Sequence, residues 1–256
     1  REQEFSADMR ARPVQRIKDV IRLRARQFAE DGGPLAHAVR PDQYGSVDNL
    51  YTATVYEKGA ELIRMLKTLI GADAFANGIA LYFERFDGQA ATIEDFYSCF
   101  SEASGQALSH FMDWYRQPGT PRVTVRHSFD PATGEGALQL TQSTPSTRVE
   151  PTPQPLPNPM RWALPEAGLE EQTFVLDTAE ATLTYKIPAT SERPLLSINR
   201  GFSAPVHLDT DHTDAERLRL VTADTDAFNK WDALQALLQR EVLGLAYGEA
   251  GAPSKD

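Results

Sequence analysis

The sequence predicts a multidomain α + β protein: a helical region over residues 1–119, a β-sandwich over 120–212, and a second helical region over 213–256. Three observations carry this. Apolar residues recur at helical spacing as far as Gly119, they alternate with polar ones through the middle of the chain, and helical spacing returns after His212. At 256 residues the chain is long enough for more than one domain. With 41% hydrophobic and 24% charged residues it has the balance of a folded protein rather than a disordered one. A formal charge of -10 argues against nucleic acid as a partner, since phosphate binding needs a surplus of Lys and Arg. No apolar run approaches the length of a membrane span.

In the first region Val14, Ile17, Ile21 and Phe28 mark one face of an amphipathic helix, with Pro13 suited to its first turn and Gly32-Gly33-Pro34 to its end. The basic residues Arg10, Arg12, Arg16, Lys18, Arg22, Arg24 and Arg26 read as its wet face, with pairing to carboxylates of adjoining domains as a further use. A turn-rich loop leads to a helix with Ala60, Leu62, Ile63, Met65, Leu66, Leu69 and Ile70 on most of its circumference, the pattern of a helix buried on several sides. Gly71 ends it, and Asp73 is the expected N-cap of a helix through Phe83. Thr92 with Asp95 predicts a capped helix through Glu102, and residues 109–115 a shorter one closed by Pro118-Gly119. Cys99 sits in an apolar pattern with Phe96 and Phe100 and reads as a buried, inert thiol, in keeping with a reducing, cytoplasmic setting.

In the second region Val123 and Val125 alternate with polar neighbours, as do residues 137–141, and Asp130-Pro131-Ala132-Thr133-Gly134 predicts the hairpin turn between them. Further strands are expected at 173–176, 182–187, 195–198 and 206–208, and the Pro-rich interval 145–159 reads as an exposed loop or edge. In the third, Thr213 or Asp214 caps a helix through Val221. A second helix carries Phe228, Trp231, Leu234, Leu237 and Leu238 on one face, and the polar tail 248–256 reads as frayed or truncated.

The most chemically suggestive stretch is 48–65, where Tyr51 and Tyr56 stand at the start of the apolar helix. A phenol held there can donate a hydrogen bond to a developing oxyanion; equally, Tyr56 can be a core tyrosine with a satisfied hydroxyl. Glu57-Lys58 can orient substrate or form a helix-start ion pair. His207 and His212, five apart, lack a metal-binding spacing, and His37, His110 and His127 are isolated, so structural or exposed roles are expected for all.

The run Asn49-Leu50-Tyr51-Thr52-Ala53-Thr54-Val55-Tyr56-Glu57-Lys58-Gly59-Ala60-Glu61 resembles the segment after the zinc site in M1-family metalloaminopeptidases of the bacterial aminopeptidase N kind. Gln27-Phe28-Ala29-Glu30-Asp31, Pro34-Leu35-Ala36-His37, Leu81-Tyr82-Phe83-Glu84-Arg85, Trp114-Tyr115, Gly119-Thr120-Pro121, Phe202-Ser203-Ala204-Pro205-Val206 and Trp231-Asp232-Ala233 extend the likeness, in order, along nearly the whole chain. The resemblance implies the helical C-terminal part of a thermolysin-like catalytic domain, an Ig-like β-sandwich, and the first helices of an ARM/HEAT-like domain. It implies a hydrolase that releases the N-terminal residue of peptides, with Zn2+ activating water and a glutamate as general base.

By the same likeness Tyr56 donates to the tetrahedral oxyanion, Asp48 and Tyr51 line the pocket for the N-terminal side chain, and Glu57 lies near the leaving side. Asp48 departs from the asparagine expected there. His-Glu-x-x-His and Gly-x-Met-Glu-Asn are both missing from the sequence, and Arg1-Glu2-Gln3-Glu4-Phe5-Ser6 resembles the stretch just after the third zinc ligand. The expectation is therefore a fragment that begins after the metal site, inactive by itself, with no metal role for Glu2 or Glu4. Its buried helix over 62–70 is expected to lack packing partners. The parent is expected to be a monomer acting on peptides, with neither nucleic acid nor membrane as partner. The alternative is a non-catalytic M1-like scaffold that binds peptides or a partner, and the sandwich can serve simply as a spacer.

Overall fold

The computed structural model describes residues 2–247. Arg1 and the tail 248–256, on which two expectations fall, lie outside the described residues. The chain opens with α1 (Glu2–Met9) and α2 (Arg12–Arg22), which carries Pro13 in its first turn as expected and continues through a π-helical turn, Leu23–Gln27, into α3 (Phe28–Asp31), capped by Gly32. A second π-helical turn, Thr54–Lys58, leads without a break into α4 (Gly59–Ile70). The helices α5 (Ala72–Phe86), α6 (Ile93–Ser104) and α7 (Asp113–Arg116) complete the region. Thr92 and Asp95 form the reciprocal capping box read from the sequence. Asp73 is not the cap: the N-cap of α5 lies two residues earlier, at Gly71 with φ 86°, a conformation a side chain would strain.

The face of α2 differs from expectation. Val14 and Ile21 are exposed, and Arg16, Asp19 and Val20 are buried, followed by Leu23 and Gln27 in the π turn. Hydrophobic spacing misplaced this face because the buried Arg16 finds its partner in Glu61, remote in sequence. Each Arg16 terminal nitrogen donates to a Glu61 oxygen at 2.6 Å, and Arg16 also donates to the carbonyls of Gly201 and Phe202. A charge buried with this many partners is stable where an unpaired one would not be. The helix expected to lack partners is covered within the chain: Leu62, Met65, Leu66 and Ile70 are all buried in one continuous core.

Seven strands follow: β1 (Arg122–Asp130), β2 (Glu135–Ser143), β3 (Asn158–Leu164), β4 (Leu169–Leu176), β5 (Glu180–Lys186), β6 (Ser197–Ile198) and β7 (His207–Thr210). They form two sheets, β5-β2-β1-β7 and β4-β3-β6. The first is antiparallel except that β7 runs parallel to β1. The expected hairpin turn joins β1 to β2 in register, Asp130 opposite Glu135. Val123 and Val125 of β1 and Leu138 and Leu140 of β2 point into the core, as their alternation requires.

Strand β3 contradicts the reading of 145–159 as wholly exposed loop or edge. It is the central strand of its sheet, and residues 156–160 are buried. Pro159 is tolerated because β6 pairs only with Trp162 and Ala163, so the proline's missing N–H breaks no ladder bond there. The side chain of Gln142 replaces strand pairing in this segment, donating to the carbonyls of Leu156, Leu176 and Thr178 and accepting from Leu156 N–H.

Two helices end the described chain. Thr213 caps α8 (Asp214–Ala223) in a second capping box with Glu216, and α9 (Ala227–Tyr247) follows. Phe228 is buried against Phe202 and Phe28, whereas Leu234, Leu238, Val242 and Leu245 are exposed.

Candidate active-site segment

Tyr56 sits on the π-helical turn at the head of α4, and π turns recur at functional sites because they re-aim side chains. Its ring is 58% exposed, and it stacks on Tyr51 with centroids 6.0 Å apart and planes 20° from parallel. Among the described residues no group hydrogen-bonds to its hydroxyl. It is therefore not the satisfied core tyrosine of the bland alternative. Asp48 lies on a short 3-10 turn, Val47–Leu50, and is exposed, as is Tyr51 just beyond it.

The opposite side of the same turn is fixed by polar contacts. Thr54 N–H donates to Glu30 Oε1 at 2.9 Å, and Val55 N–H to Thr52 Oγ1 at 3.1 Å. Lys58, 1% exposed, donates to Asp31 Oδ2 at 2.8 Å and to the Gly119 carbonyl at 3.0 Å, with its ammonium 5.5 Å from the Trp114 ring centre. Asp31 also accepts from Gly119 N–H and Thr120 Oγ1. Burial alone would raise the Asp31 pKa, but the Lys58 charge and these hydrogen bonds hold it below the usual carboxylate range. Gly119 is required here: at φ 94° it turns both its N–H and its carbonyl to this pair, and a Cβ would meet Thr144 Cγ2 at 2.9 Å.

Glu57 and Lys58 are thus not a mutual pair. They leave the turn in different directions, Glu57 toward Arg22 at 3.6 Å and Lys58 into the core. Sequence reasoning missed Asp31 and the role of Lys58. The available signal was a lysine directly before an apolar helix, a position where a buried charge must have a partner.

Each histidine has a packing or polar contact. Tyr185, whose pKa burial pushes up to about 12, stays protonated and lies 2.6 Å from His127 Nε2. Burial, then the Arg193 charge, pushes His127 down to about 4, so it is neutral at pH 7 and accepts this bond. His207 packs on Phe28 with centroids 4.6 Å apart, and His212 lies 2.9 Å from Thr210 Oγ1. His37 lies beside the Ala38 carbonyl and Glu30, and His110 is exposed near the Pro155 carbonyl. Cys99 is buried, and Glu4 pairs with Arg12 and Arg64. Among the described residues no three His, Cys, Asp or Glu side chains converge as metal ligands, so the residues present do not fit a zinc ion. Among them, too, no helix is long and apolar enough to cross a membrane.

Residues 4–115 match the peptidase family M1 domain, and residues 119–211 match a domain of unknown function (DUF3458) with an Ig-like fold. The first helical region thus matches the M1 peptidase family, and the chain is aminopeptidase N-like along its whole length. It is 51% identical to aminopeptidase N of Caulobacter vibrioides over 100% of this chain and 29% of that protein. Against aminopeptidase N of Escherichia coli K12 identity is 40%, over 99% of this chain and 30% of that protein. The crystal structure of Legionella pneumophila aminopeptidase A in complex with aspartic acid superimposes with a TM-score of 0.74 at 27% identity, covering 93% of this chain and 28% of that one. The chain thus spans under a third of the length of these relatives.

Proposed function

We propose that this chain is one part of a longer zinc-dependent aminopeptidase that removes the N-terminal residue from peptides. In this reading residues 1–119 form the C-terminal helical part of the catalytic domain, 120–212 the sandwich, and 213–256 the start of the α-helical domain. Tyr56 donates a hydrogen bond from its hydroxyl to the oxyanion of the tetrahedral intermediate. Tyr51 and Asp48 line the pocket for the N-terminal side chain, and Glu57 lies toward the leaving side. The zinc ligands and general base belong to other parts of the protein, so the chain alone neither binds zinc stoichiometrically nor hydrolyses aminoacyl substrates. A monomeric, cytoplasmic parent is part of the same reading.

The observation that supports it most is the pairing of opposites at one turn. Tyr56 offers an unpartnered hydroxyl on an exposed face, while Thr54 and Lys58 on either side of it are buried and bonded. A donor held so needs little reorganisation when negative charge develops beside it.

Tyr56→Phe in the full-length protein tests the role. Loss of one oxyanion donor is expected to lower kcat by about 100- to 1,000-fold with little change in KM. Unchanged turnover with zinc content intact would remove Tyr56 from the mechanism. Complete lack of peptidase activity in the wild-type full-length protein would favour the binding scaffold instead.

A further inference from the structure

A cleft of about 310 Å³ lies where the helical region meets the sandwich, apart from the Tyr56 face. Phe28, Gly33 and Pro34 form its helical wall, and Arg122, Arg148 and His207 its sandwich wall. The charges around it do not balance. Asp31 reaches the cleft, but its two oxygens are already committed to Lys58, Thr120 and Gly119. Most arginines in this acidic chain are held by carboxylates, yet among the described residues the side chains of Arg122 and Arg148 have no ion-pair or hydrogen-bond partner. Arg24, the other cation near His207, is held by Asp232. Burial, and after it the charges of Arg122 and Arg24, hold His207 below its ordinary pKa.

Two like charges lining one recess repel. An oxyanion relieves it, and guanidinium forks match oxyanion geometry better than any other side chain. We propose that this cleft binds a small multivalent oxyanion between Arg122 and Arg148. Since the chain as a whole carries -10, the attraction comes from this recess and not from a generally basic surface. The inference does not depend on Tyr56 or on zinc.

Calorimetric titration of the full chain with inorganic phosphate, and separately with succinate, tests it at ionic strength held constant with chloride. Saturable one-site binding is expected with at least one of the two, and their ratio tells a tetrahedral phosphate from a dicarboxylate. The His207 imidazole resonance is expected to titrate at higher pH once the site is filled. Arg122→Gln and Arg148→Gln are each expected to weaken binding about tenfold or more. Both arginines are exposed, so the variants are expected to keep the wild-type melting temperature in chloride. Tyr56→Phe is expected to bind as wild type does. Heats no larger than those of added chloride, or glutamine variants that bind unchanged, would overturn the proposal.

Discussion

The sandwich is held to its two helical neighbours in different ways. Toward the first helical region the joint is a shared apolar core. Trp114 is fully buried among residues of both parts, and its indole donates to the Pro157 carbonyl at 2.9 Å. Toward the last region ion pairs stand beside smaller apolar contacts. Arg200 donates to Asp224 at 2.6 Å and Arg193 binds Glu216, next to the packing of Phe202 on Phe228 and of Leu195 on Leu220, while Arg24 ties the first helical region directly to Asp232. Burial of apolar surface resists salt and pH, whereas charge pairs give orientation at the cost of sensitivity to both. The Tyr56 turn is anchored on the first kind of joint, with one buried ion pair, Lys58–Asp31, set inside it.

The comparison can be broken most forcefully at Trp114. Trp114→Ala is expected to cost about 3–5 kcal/mol in denaturant unfolding, with the loss unaffected by salt. Lys58→Met is expected to cost nearly as much, about 3–5 kcal/mol, because it strands the buried Asp31 carboxylate. Adding Asp31→Leu to it should recover part of that loss, and failure to recover would show that the Gly119 and Thr120 contacts, not the charge, hold the turn.

Acid offers a gentler probe of the ion pairs at the second joint. Burial opposes ionisation of Glu216, but its bonds to Arg193 and to the Thr213 cap outweigh that and bring its pKa from 4.5 to about 2. The folded value is depressed, so this stabilisation is complete above the unfolded value and is lost as pH falls from about 4.5 to 2. Thermal melts of wild type and Glu216→Gln should therefore converge across that window. The smallest effect is expected at Arg24, a pair about one-third exposed: Arg24→Ala should cost about 0.5–1 kcal/mol, less in high salt. A loss as large as that of Trp114→Ala would show that a partly exposed ion pair weighs as much as the apolar core.

Local signals in the sequence carried much of this structure. The capping boxes Thr92/Asp95 and Thr213/Glu216 and the turn at 130–134 act within a few residues, so their meaning is complete where it is read. The burial of Cys99 followed from its apolar spacing. Strand β3 was hidden because prolines obscure a strand whose missing bonds are supplied by Gln142 from elsewhere. The face of α2 was misjudged because Arg16 looks like a surface residue until Glu61 is beside it.

At the candidate site the same division holds. The sequence determined that Tyr51 and Tyr56 stand at the head of an apolar helix, and the ordered resemblance supplied the peptidase reading. Only the tertiary structure decided that Tyr56 faces outward on a π turn, that Glu57 and Lys58 part company, and that Asp31 and Gly119 lie beneath them. Propensity and capping act along the chain and can be read from it. The pairing of buried charges depends on which distant segments share one dry volume, and that is fixed only when the chain has closed on itself.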